Sequence, residues 1–336
     1  MRFVLSILLL AASAAHADPV RVCATTPDLG AIARAIGGDD VVVAVFAKGT
    51  EDPHFVEAKP SFVKELSTAD LLVVTGLDLE VGWLPPLVDG SRNTAVQPGW
   101  PGYLDVSQTI VPLEKPGGPV DRSQGDVHPY GNPHYLLDPV NGIKVAALVR
   151  DRLVALRADR TAKFDARFDA FKKRVGGALY GDALASKYDV EKLDVLAEAG
   201  TLDGFLDSQG DAAKLGGWLA RMKPARGAKA VDDHPIWAYF TRRFGLEVVG
   251  HMEPKPGIQP TTKQLGMLVE MMKRDGVKLI LASAYYDPRH ARFLAGETGA
   301  KIANLANQVG SRPGTDDYVA MIDYDVKEVL SAIGGA

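Results

Sequence analysis

Twice along this chain, short runs rich in β-branched residues alternate with stretches whose apolar residues recur at helical spacing, and no other feature restrains the fold so tightly. Parallel strands need a crossover between them, usually a helix, so this alternation builds parallel α/β sheets. In the first block "VRVCATT" reads as a strand and "TPDLGAIARAIGG" as a helix that Asp28 caps and the Gly37-Gly38 pair ends. "VVVAVFAKG" follows as a buried strand, "PSFVKELSTA" as a helix opening with proline, and "DLLVVTG" as a third strand. The second block runs through "AKAVDD", a helix from about Pro235, "LEVVGHM", "TTKQLGMLVEMMKRDG", "VKLILAS", "PRHARFLAGETG", "AKIANL" and a closing helix in "DDYVAMIDYDVKEVLSAIGG".

Between the blocks "NGIKVAALVRDRLVALR" is helical, and Phe164, Phe168, Phe171 and Val175 line one face of a further helix at spacings of four, three and four. The predicted fold class is α/β, with two α/β lobes of mostly parallel sheet joined by a long rigid helix. The expected divisions are a signal segment at 1–17, a first lobe at 18–157, a linking helix at 158–182 and a second lobe at 183–336. Ligands of open α/β sheets sit beyond the carboxyl ends of the strands, which here means a cleft between the lobes. Leu193 to Met222 reads as short helices broken by glycines, with no cluster of ligand-type residues.

The first residues, "MRFVLSILLLAASAAHA", combine a basic Arg2, an apolar run from Phe3 to Ala12 and an Ala15-His16-Ala17 end. That is the pattern of a secretory signal peptide cleaved near Ala17, and the apolar run is shorter than a membrane span needs. The expected mature protein is exported, soluble and periplasmic. The single cysteine, Cys23, falls in a strand-like run rather than at the cleavage point, so neither a lipid anchor nor an internal disulfide is expected, only a buried, inert thiol. Lys and Arg number 38 against 42 Asp and Glu, a net charge of −4 that argues against nucleic acid as a partner.

The histidines carry the chemistry. In "GNPHYLLDP", Pro133 and Pro139 stiffen the loop around His134 and hold its ring before any ligand arrives. His54, in "KGTEDPHFVEAKPS", and His234, in "AVDDHPIWAYF", each follow a strand and precede a helix, so all three face the predicted cleft. Converging neutral imidazoles suit Zn²⁺, with Asp52 and Asp233 near enough in sequence to orient the rings. Spacing alone also allows three scattered structural histidines. Three histidines and a water would also serve a zinc hydrolase, with Glu57 or Asp233 as base, but the chain has no H-E-x-x-H, G-x-S-x-G or P-loop motif.

"DPHFVEAKPSFVKELSTADLLVVTGLDLE", "NPHYLLDP" and "HPIWAYFTRRFGLEVVG" resemble three motifs of the zinc- and manganese-binding solute-binding proteins of bacterial ABC transporters. The likeness spans nearly the whole mature chain and includes "VKLILAS...DPRHARFLAGETGAKI". It implies that His54, His134 and His234 bind the metal. The third position is typically His in zinc members and Glu in manganese members, so the implied cargo is Zn²⁺, carried rather than used in catalysis. The implied function is capture of zinc for import, and the implied partners are a membrane permease with a cytoplasmic ATPase, with a periplasmic metallochaperone as a further candidate. The protein is expected to be a monomer and not an enzyme. A manganese-binding or adhesin-type member of the same fold is the rival within the resemblance.

Three departures qualify the resemblance. No Asp or Glu follows "AKIANL" where the family commonly has a metal-binding acid, which leaves Asp287, Asp316, Asp317 or water as the fourth ligand. The loop Val111 to Pro133, dense in His and acids in many zinc members, holds only Asp121, Asp126 and His128 besides Glu114, and His128 reads as a solvated histidine or an accessory one. The segment from Leu193 to Met222 is longer than the family usually has. His251 and His290 carry no matching motif and read as structural or surface residues.

Overall fold

The computed structural model describes residues 18–118, 128–253 and 258–334; the expected signal segment, Asp121 and Asp126 lie outside them. Strands β1 (Val20–Ala24), β2 (Val41–Val45), β3 (Leu71–Val74) and β4 (Tyr103–Asp105) form one sheet in the order β2-β1-β3-β4. Strands β5 (Lys229–Asp232), β6 (Glu247–His251), β7 (Leu279–Ala282) and β8 (Lys301–Asn304) form a second in the order β6-β5-β7-β8. Every pairing in both sheets is parallel. The two lobes therefore repeat one topology. β4 was not among the expected strands, because three residues are too few to carry a period.

The helices of the first lobe are α1 (Pro27–Gly37), α2 (Pro60–Ser67) and α3 (Leu84–Ser91), followed by α4 (Pro139–Leu156) and α5 (Thr161–Tyr180). Short helices α6 (Asp182–Lys187), α7 (Val190–Glu198), α8 (Leu202–Ser208) and α9 (Gly217–Arg221) come next. The second lobe adds α10 (Ala238–Phe244), α11 (Thr262–Asp275), α12 (Pro288–Thr298) and α13 (Tyr318–Ala332). α5 is the expected long helix: Phe164, Phe168, Phe171 and Val175 are all buried, and it packs against α1 and α4 as well as α9 and α13. None of the described helices is long and apolar enough to cross a membrane.

Alternation along the strands divides the interior. Val22, Ala24, Leu71 and Val73 of the first sheet and Ala230, Leu279 and Leu281 of the second face one core that runs through both lobes and α5. The residues between them face outward into smaller cores under the outer helices: Cys23, Leu72 and Val74 in one lobe, Val231, Ile280 and Ala282 in the other. Strands buried on both faces read as unbroken apolar runs, which is why the sequence pattern found them. Each fully buried large side chain contributes about 1.5–3 kcal/mol, so the shared core welds the lobes together.

Three local expectations are corrected. β2 is an edge strand whose Val42 is 59% exposed, not a buried one. Thr26, not Asp28, holds the N-cap position of α1; Asp28 lies buried in the first turn and accepts a hydrogen bond from the Val309 backbone N–H at 2.8 Å. α10 begins at Ala238 rather than near Pro235, because residues 234–237 form a tight turn in which the Ile236 N–H bonds the His234 carbonyl.

Candidate metal centre

Each histidine of the predicted set is fixed by its own segment. His54 lies in the loop after β2, where the Trp83 indole N–H donates to the Pro53 carbonyl at 3.0 Å. Asp52 accepts from the His54 backbone N–H at 3.0 Å and bonds its Nδ1 at 2.6 Å, so Nε2 is left toward the cleft. His134 precedes α4; its backbone N–H donates to the Asn132 side chain at 2.9 Å, and the Tyr135 hydroxyl ties the next residue to the Thr75 carbonyl at the end of β3. Asp138 caps α4 by accepting from the Val140 N–H. His234 follows β5, and its Nδ1 lies 3.7 Å from a carboxylate oxygen of Glu253, just past β6.

These segments bring the three rings together. Centroids lie 5.3 Å apart for His54 and His134, and 6.1 Å apart for each of the other two pairs. One ring nitrogen from each falls within 4.8 Å of the others, an arrangement that could hold a metal ion. His54 and His234 are buried and His134 is half-buried. His134 Nε2 is buried with no hydrogen-bond partner among the described residues. A buried lone pair left without a donor is costly, and a cation is one way to satisfy it.

The electrostatics point the same way. Burial, and then the neighbouring imidazoles of His54 and His234, hold His134 well below its ordinary pKa. His128 is pushed down to about 3 by the same causes in the same order. Burial pushes Asp52 up, but the hydrogen bonds from the His54 ring and backbone N–H and the attraction of His54 and His234 together outweigh it and leave the carboxyl below its usual range. His134 and His128 are thus neutral donors at neutral pH, beside an ionised Asp52 that keeps the proton on the far side of His54.

Asp52 orients a ring as expected, but Asp233 does not. Asp233 turns away to accept from the Ser283 backbone N–H at 2.7 Å, and burial raises its pKa to about 7. The acid facing His234 is instead Glu253, whose one signal in the sequence is its position past the end of a strand. His251 bonds Asp232 at 2.5 Å. Asp287 caps α12 and holds Arg289; Asp317 caps α13 and pairs with Arg174; Asp316 is exposed. His128 is no solvated histidine: it is half-buried, with its Nε2 2.9 Å from His54 Nε2.

Two parallel-sheet lobes that share a core and carry three converging imidazoles define a metal-binding solute receptor. A family model described as zinc-uptake complex component A, periplasmic (ZnuA), matches residues 22–178 and 212–332, and the chain belongs to that family. The unmatched stretch 179–211 holds α6 to α8 and overlaps the Leu193–Met222 segment that the motifs did not account for. The chain is 22% identical over 305 residues to the zinc-binding lipoprotein AdcA of Streptococcus pneumoniae, covering 87% of this chain and 51% of that longer protein. It is 23% identical over 328 residues to the manganese ABC transporter substrate-binding lipoprotein PsaA of Streptococcus mitis, covering 95% of this chain and 91% of that one. A crystal structure of ZnuA superposes with a TM-score of 0.66 at 22% identity, over 94% of this chain and 99% of that one. The protein is accordingly a metal-binding, non-catalytic substrate-binding component of an ABC transporter, facing outward from the cytoplasm and serving a membrane permease and its ATPase.

Proposed function

We propose that this protein captures Zn²⁺ at His54, His134 and His234 in the periplasm and hands it to its permease for import. The convergence of three imidazoles, with no carboxylate in the cluster, carries the reading. Manganese favours oxygen ligands, whereas imidazole suits zinc, so the donor set argues for zinc even though relatives are named for both metals. Removal of the signal segment near Ala17 completes the reading, and the mass of the exported protein tests it.

The decisive test is competition of metal-stripped protein against a zinc chelator, with manganese run in parallel. One tight zinc equivalent and weak manganese are expected. His54→Ala, His134→Ala and His234→Ala should each weaken zinc by about 100-fold or more, a loss of about 2.7 kcal/mol, with unchanged circular dichroism. Preference for manganese would overturn the zinc reading, and unchanged affinity in any variant would remove that residue from the site.

A further inference from the structure

We propose that His128 is the fourth zinc ligand, so that the site binds through four imidazoles. The inference rests on the reading of His54, His134 and His234 as zinc ligands. Zinc bound only by protein side chains is almost always four-coordinate and tetrahedral, and three histidines leave one position to fill. Of the carboxylates expected as fourth ligand, Asp287 is engaged with Arg289, Asp317 with Arg174, and Asp316 is exposed; Asp233, nearer in sequence to His234, is held by Ser283. Asp52 sits on His54 Nδ1, the nitrogen turned away from the other rings, and so orients that ring.

His128 lies against His54 just outside the three-histidine group whose nitrogens fall within 4.8 Å of one another, and a shift of its ring toward His134 and His234 would bring it in. Its ring stacks on His54 at a centroid distance of 5.0 Å, and the two Nε2 atoms face each other at 2.9 Å. Asp52 holds the His54 proton on Nδ1, and the Leu77 carbonyl takes the one N–H of the neutral His128 ring, so the two facing Nε2 atoms each present a lone pair. Two nitrogens bound tetrahedrally at about 2.0–2.1 Å from zinc lie about 3.3–3.4 Å apart. For this pair, placing zinc between the two lone pairs needs a separation only a few tenths of an ångström wider than the 2.9 Å observed. His128 then carries its proton on Nδ1 and stays neutral.

The backbone around His128 supports this role. The Leu77 carbonyl is hydrogen-bonded to the His128 ring. Gly76, Leu77 and Asp78 all have positive φ, at 77°, 52° and 67°. Consecutive non-glycine residues in that region are strained, and such strain collects at binding sites. Here the strained turn sets the Leu77 carbonyl against the ring and limits its freedom.

The test combines zinc-edge X-ray absorption with chelator competition on the mature protein, using wild type, His128→Ala and His128→Asn. Four imidazole scatterers are expected in wild type and three in each variant, with zinc affinity falling at least about tenfold, the low end of what losing even an orienting partner costs. Tight zinc with three imidazoles plus an oxygen in wild type, and unchanged affinity in both variants, would overturn the role of His128 and leave the zinc function standing. Absence of tight zinc from wild type would instead overturn the reading on which this one depends. The asparagine variant keeps a polar side chain in the loop, guarding against a result caused by misfolding.

Discussion

Asp52 grips His54 twice, at its backbone N–H and at its ring, and this small clamp decides which imidazole nitrogen is left toward the cleft. Asp52→Asn should therefore weaken zinc binding by about 10–100-fold, because an orienting partner tunes both ring position and basicity; unchanged thermal unfolding of the metal-free protein would show that the loss is local. Cys23 is 2% exposed, and burial pushes its thiol up to about 12. A disulfide reagent at pH 8 should leave it unlabelled in the native protein and titrate one thiol in guanidinium. His54, His134 and His234 were legible because each follows a strand or sits in a proline-braced loop, where α/β proteins put ligand contacts. The contact between His128 and His54 joins residues 74 apart across an aperiodic loop, and no local pattern announces it. Asp28 was misread for the opposite reason. It has the chemistry of a cap, but its partner, Val309, is 281 residues away.

Two contacts between elements keep the His134 loop in register. α4 and α13 approach so closely that a Cβ on Gly142 would meet the Tyr318 ring at 2.3 Å, and the Tyr318 hydroxyl donates to the Leu136 carbonyl at 2.6 Å. Gly142→Ala should cost about 1–3 kcal/mol through overpacking, read as a lower urea midpoint with an unchanged slope. Arg243 of α10, its side chain almost wholly buried, donates two hydrogen bonds to Asp138 and pairs with Asp194 of α7 at 2.8 Å. Arg243→Ala strands those carboxylates and should cost about 3–5 kcal/mol, the usual effect of removing one partner of a buried ion pair; urea unfolding checks it. Among the elements, α1, α2, α4, α5 and α11 were legible because apolar spacing and flanking proline, glycine or cap residues agreed. The three-residue β4 and the late start of α10 were not, since their boundaries depend on tertiary hydrogen bonds rather than on spacing.

At the scale of the molecule, the repeated alternation revealed both lobes, yet strand order and the shared core came only from the structure, because neither leaves a period in the sequence. The shared interior also buries acids. Burial raises the Asp28 carboxyl from about 4 to about 7, against the Val309 N–H that lowers it. The folded state thus holds this proton more tightly than the unfolded chain. Its contribution to stability is fully present below about pH 4 and is lost as pH rises toward 7. Asparagine can accept the same Val309 bond without a charge, so Asp28→Asn should gain on the parent by a few kcal/mol between pH 4 and 7.5, measured as a difference of urea unfolding curves.

The bonds crossing between the halves are unevenly shared. Beside His134, Asn132, Leu113 and Asp138 make five hydrogen bonds to Pro235, Tyr239 and Arg243. On the His54 side, among the described residues, two join Asp28 and Glu51 to Val309 and Gln308. A load applied across the cleft would meet a stout hinge at one edge and a thin seam at the other. The halves would part first along the His54 edge, so a permease that grips that edge would open the cleft with the least force.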